Sequence, residues 1–112
     1  MTTLRKVLIE SQDAPIAQAT LYTATGVTAT IDRMTATNTT AGVLTISVNL
    51  LPPAGAAGAT NLFAKAISLA AGTSYQFPEI VGHDLAPGGA ISVIASATGI
   101  AIRASGRETT SG

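Results

Sequence analysis

The feature that most constrains this chain is a hydrophobic period of two residues. Leu44, Ile46, Val48 and Leu50 alternate with Thr45, Ser47 and Asn49, the pattern of an antiparallel strand with one face buried. Ile91, Val93 and Ala95 alternate with Ser92 and Ser96, and Ile100 and Ile102 with Ala101 and Arg103. Val27, Ala29 and Ile31 keep the same rhythm, but after Arg33 the apolar phase moves to Met34 and Ala36. A phase shift of that kind predicts a β-bulge near Asp32 and Arg33. Shorter runs rich in Thr, Val and Ile, as strands prefer, cover residues 4–9, 17–23, 62–69 and 73–77, with a weak one at 83–85. No window carries the helical period with caps; the Ala-rich stretch 54–59 is broken by Gly55 and Gly58 and preceded by Pro52 and Pro53.

Turn residues fall between these runs, at 25–26, 38–42, 52–61, 71–72, 82, 87–89 and 99. That cadence predicts an all-β fold, an antiparallel β-sandwich that is Ig-like or jelly-roll-like, with about eight strands. Residues 38–42 read as a hairpin loop between two long strands. Residues 52–61 form the longest loop, crossing between sheets or projecting from one end. The expected organisation is an extended, partner-contacting N-terminal segment over 1–16, a sandwich over 17–106 and a flexible tail over 107–112.

Composition narrows the function. The six cationic and six anionic side chains cancel, and charged residues make up only 11% of the 112. A neutral chain has neither the dense basic face that nucleic acid requires nor the polybasic patch that anionic membranes attract. Cysteine is absent, which removes disulfides, thiolate nucleophiles and Cys-based metal sites. Residues 1–10 hold no long apolar core of a secretory signal, and no apolar run is long enough for a membrane helix. The expectation is a protein that stays soluble in the cytosol until an assembly takes it up. Ala and Thr together make up about a third of the chain, and aromatics only 4%. A core so light in large side chains is marginal by itself, so self-association or incorporation into a larger assembly is expected.

Candidate chemistry is sparse. His83 is the sole histidine; a general-base reading would pair it with Asp84, but adjacent strand residues point to opposite faces. The carboxylates of Glu10, Asp13, Asp32, Glu79, Asp84 and Glu108 are scattered singly. No catalytic residue, metal site or cofactor is assigned, and an enzyme is not expected. Asn38-Thr39-Thr40 matches a glycosylation acceptor, yet an asparagine in a turn needs no such role. Tyr22, Phe63, Tyr75 and Phe77 read as core or interface filling rather than a sugar platform. Arg5, Lys6, Arg103 and Arg107 give the two ends basic character and are expected to pair with Glu10, Glu79 or Glu108, or to rim an interface.

A resemblance adds to this reading. Ala19-Thr-Leu-Tyr-Thr-Ala-Thr-Gly26, Ile31-Asp-Arg-Met-Thr-Ala-Thr-Asn-Thr-Thr-Ala41, Ala66-Ile-Ser-Leu-Ala-Ala-Gly-Thr-Ser74, Leu85-Ala-Pro-Gly-Gly-Ala-Ile-Ser92 and Ile102-Arg-Ala-Ser-Gly-Arg-Glu108 carry a strand-and-turn cadence. Over residues 17–108 it resembles the small all-β virion proteins of tailed bacteriophages and prophages. The resemblance implies a capsid decoration protein, trimeric on the outer shell, with the major capsid protein as partner. The alternatives are a tail, fibre or head–tail accessory module, or a carbohydrate-binding adhesion sandwich. Partner contacts are expected at Leu4, Arg5, Val7 and Ile9 in the N-terminal segment and at Pro52, Pro53 and Asn61 in the long loop.

Overall fold

The computed structural model describes residues 2–110, and among them nine strands form two antiparallel sheets. In chain order they are β1 (Thr2–Asp13), β2 (Ala19–Thr23), β3 (Thr28–Asn38), β4 (Leu44–Leu51), β5 (Leu62–Leu69), β6 (Ser74–Tyr75), β7 (Asp84–Leu85), β8 (Ala90–Ala95) and β9 (Ile100–Thr110). Sheet A runs β1-β9-β3-β6, with β7 also paired to β3, and sheet B runs β2-β8-β4-β5. β6 and β7 pair with different parts of β3, so together they act as one interrupted strand. Counted that way, eight strand positions run 1-8-3-6 in one sheet and 2-7-4-5 in the other. That winding is a jelly roll, which decides between the two sandwich types the sequence allows.

The period-two pattern does what it predicts. Ile46, Val48 and Leu50 of β4 and Ile91, Val93 and Ala95 of β8 are buried. They face Ile31, Met34 and Ala36 of β3 and Ile100, Ile102 and Ala104 of β9 in one continuous core. Each fully buried Ile or Phe contributes about 1.5–3 kcal/mol. Phe77 and Ile80, from the turn between β6 and β7, also lie wholly inside. Phe77 adopts a φ of 49° and places its ring edge-on to Tyr75 at 4.9 Å. That left-handed residue is why the strand expected over 73–77 stops at Tyr75.

The bulge expected at Asp32 is present: Ile31 pairs with Gly106 and Arg33 with Ser105, leaving Asp32 as the extra residue. Three other expectations change. Residues 38–42 are no hairpin, because β3 and β4 lie in different sheets; the turn is a crossover. Asn38, fully buried, organises it: its amide donates to the carbonyls of Gly42 (2.7 Å) and Leu69 (2.9 Å). Its Oδ1 accepts from the Thr40 backbone N–H (2.9 Å) and hydroxyl (2.7 Å).

Residues 107–110 are not a flexible tail. They continue β9, bonded to β1 on one side and to β3 on the other; residues 111–112 lie outside the described part. Backbone pairing on both sides holds a segment that has no apolar side chain to anchor it. Nor is the N-terminal segment separate from the sandwich: residues 2–13 form edge strand β1 along β9, and Met1 lies outside the described residues. The long loop 52–61 joins neighbours β4 and β5, so it projects from one end of sheet B instead of crossing.

Candidate interaction surfaces

Along β1 the side chains alternate until a register shift between Val7 and Ile9. Arg5 is exposed and Val7 half-buried, while Leu4 is 62% exposed. The irregularity brings both Leu8 and Ile9 into the core. Ile9 is only 1% exposed and pairs with Ala104, so it has no surface to offer a partner. The expected N-terminal contacts therefore reduce to Leu4, Arg5 and Val7.

In the long loop, Pro52 and Pro53 are exposed, but Asn61 is buried and spent on internal bonds. Its Oδ1 accepts from the Gly58 N–H (3.0 Å) and the Asn49 amide (2.8 Å), and its own amide donates to the Ala56 carbonyl (2.9 Å). Asn61 shapes the loop, and its side-chain amide is committed to it. At the loop's base a shallow pocket of about 400 Å³ includes Pro52, Pro53, Phe63, His83 and Leu85 among its lining. Phe63, 46% exposed, stacks on the His83 ring at 5.7 Å. The other aromatics pack in or against the core. Asp84 is engaged by the Thr30 hydroxyl at 2.7 Å.

Pairing β1 with β9 brings the arginines of the two ends onto one face, while Lys6, next to Arg5 along the strand, turns the other way to Glu108. Arg5 lies directly opposite Arg107, and the bulge in β3 aims both Asp32 and Arg33 at the same place. Together with Ser105 they surround a trough of about 740 Å³. Arg107 forks onto Asp32, with Nε to Oδ2 and Nη2 to Oδ1 both 3.0 Å. Lys6 meets Glu108 at 3.4 Å, and Arg103 meets Glu10 at 3.8 Å and Ser11 at 2.9 Å. Two of the expected ion pairs thus form, Lys6–Glu108 and Arg103–Glu10. Arg107 takes Asp32 instead, and Glu79 accepts from the Tyr75 hydroxyl at 2.6 Å. Arg33 was not singled out from sequence, although the phase shift beside it marks its unusual orientation.

Two tyrosines are shifted in the same direction. Burial, and then the hydrogen bond to Glu108, push Tyr22 well above its ordinary value. The bond to Glu79, and then burial, raise Tyr75. Both phenols are held neutral. No group of three or more His, Asp or Glu residues that could hold a metal converges among the described residues.

No protein-family model and no curated protein sequence matches the chain. Among solved structures, the chain is similar to one in the structure of infectious bursal disease virus, Gx strain. The TM-score is 0.50 at 14% identity, and the match covers 96% of this chain and 30% of that one. This chain thus spans less than a third of that viral chain. What they share is the fold.

Proposed function

We propose that this protein is a non-enzymatic structural component of a virion, and specifically a capsid decoration protein that binds and stabilises the head of a phage. One observation carries the reading: nearly the whole chain follows the course of part of a chain from a virus structure. The jelly-roll winding supports it, since viral capsid domains use that architecture. The core supports it too, because it is built largely of Ala and Ile with a single Phe and gains from burying further surface in an assembly. The proposed partner is the major capsid protein, and the proposed form is a homotrimer on the capsid surface, assembled in the host cytoplasm.

In this role the protein acts by mass action. Binding the assembled shell but not its dissociated subunits stabilises the shell through linkage, and a trimer that spans several subunits gains avidity from weak single contacts. The test is to incubate the purified protein with empty shells of the major capsid protein. Saturable co-sedimentation and a raised shell melting temperature are expected. A monomer that neither binds nor stabilises shells refutes the reading, and copies confined to the tail would make it a tail component.

A further inference from the structure

The outer face of sheet A holds an arrangement of charge that its own strands leave incomplete. Arg5 and Arg107 are directly opposed on neighbouring strands, a placement that costs stability when the charges are alike. Asp32 answers Arg107 alone, through the bidentate fork. Neither Arg5 nor Arg33 has an ion-pair partner among the described residues. Regular alternation would have turned either Asp32 or Arg33 inward; the bulge presents both to the trough. Two unanswered guanidiniums therefore flank a neutralised third, on a chain with no net charge.

We propose that this trough is the docking site for an acidic segment of a partner protein, with Arg5 and Arg33 each taking an Asp or Glu carboxylate. The inference rests on the virion reading in that it assigns the outer face of sheet A as the surface meeting the shell protein. The guanidinium fork matches the planar carboxylate and binds it through two parallel N–H donors. Nucleic acid fits the trough less well. Its phosphates follow one another without relief, so a strand crossing the trough would run against the Asp32 carboxylate. Two unpaired cations also release too few counterions for useful affinity. Carboxylates on a protein segment are spaced, and the Asp32–Arg107 pair can sit between them as a neutral spacer. Charge pairs of this kind set register and speed encounter.

The experiment titrates the full chain with a fluorescent peptide whose glutamates are separated by pairs of serines, followed by anisotropy, with a thymidine decanucleotide as the second probe. The peptide is expected to bind in a salt-sensitive manner. R5Q/R33Q is expected to weaken it by about tenfold or more, whereas K65Q, on an exposed residue of the opposite sheet, leaves it unchanged. Both arginines are exposed, and thermal melting verifies that the double variant folds. R5K/R33K, which keeps the charge and loses the fork, is expected to fall in between. Equal peptide binding by R5Q/R33Q and the parent chain overturns the proposal, and so does tighter binding of the decanucleotide than of the peptide. Shells separate the two readings. Shell binding that survives R5Q/R33Q overturns the face assignment and leaves the virion role intact. Arginine-dependent peptide binding by a chain that ignores shells supports the acidic-segment site and refutes the virion role.

Discussion

Tyr22 on β2 donates its phenolic hydrogen to the carboxylate of Glu108 on β9, a bond that ties one sheet of the sandwich to the other. Tyr22 is 8% exposed, and Glu108 also holds Lys6. Replacing Tyr22 with Phe keeps the ring and removes the bond. The expected cost is about 1.5 kcal/mol, the low end for a hydrogen bond to a charged group, because Glu108 retains Lys6. Chemical denaturation at neutral pH measures it.

The same bond sets an alkaline limit. In the unfolded chain Tyr22 ionises near its ordinary 10.0, and in the fold it ionises higher. Above pH 10 the unfolded state has lost a proton that the native state still holds, so stability present below that pH falls as pH rises. The slope from this one group is at most about 1.4 kcal/mol per pH unit. Tyr75, raised in the same direction, adds to the decline. Denaturation midpoints measured from pH 8 to 11 should therefore fall above pH 10, and less steeply in Tyr22→Phe. Equal slopes in the two proteins would disprove the assignment.

The Asn38 side chain makes four hydrogen bonds from a fully buried position at the β3–β4 crossover. Asn38→Ala removes the donor to the Leu69 carbonyl at a buried site and to the Gly42 carbonyl at a half-buried one, and frees the Thr40 N–H of its acceptor. A loss of about 3 kcal/mol is expected from groups left unpaired. Asn38→Asp fares no better, since a carboxylate cannot donate to either carbonyl. A melting temperature within a degree or two of the parent protein would contradict this account.

How much of this was legible beforehand depends on whether a side chain or a backbone pairing carried the information. Ile46, Val48 and Leu50 revealed β4 because a buried face leaves a period-two trace, and the shift from Ile31 to Met34 revealed the bulge. The crossover at Asn38 looked like a hairpin because a turn between two long strands reads the same whether they pair or part. What separates them is the bond from Asn38 to Leu69, which comes from a strand distant in sequence. Residues 107–110 looked frayed for a related reason: they are held through backbone groups, which composition does not report. The contact set suffered likewise. Ile9 and Asn61 belong to expected surface segments, yet a register shift buries one and a loop network consumes the other. The Arg5–Arg107 opposition was invisible until β1 was known to pair with β9.

Gly106 provides a test of the central strand. A Cβ added there would lie 2.0 Å from the backbone oxygen of Thr30 and 3.0 Å from a Leu8 methyl. Neither β3 nor β9 can retreat without breaking the ladder between them. Gly106→Ala is expected to cost at least about 3 kcal/mol, the upper range for overpacking, because the obstruction is backbone. Deleting residues 107–112 should also lower the melting temperature substantially, since it removes Arg107 from Asp32 and Glu108 from Tyr22. A tail deletion without effect would restore the flexible reading.

Leu4 and Ile9 lie on the same strand and are both large and apolar, yet the fold treats them oppositely. Leu4 is 62% exposed and Ile9 is 1% exposed. Leu4→Asp sets a carboxylate directly opposite Glu108 and should cost no more than about 1 kcal/mol, the upper range for a cross-strand pair. Ile9→Asp drives a carboxylate into an apolar site with no partner for its charge and should unfold the domain. Circular dichroism melts distinguish them. The pair also bears on function: Leu4→Asp gives a folded protein with an altered β1 surface, so reduced shell binding by that variant would place Leu4 in the contact. Undiminished binding would remove β1's apolar end from it and leave the arginine face to carry the attachment.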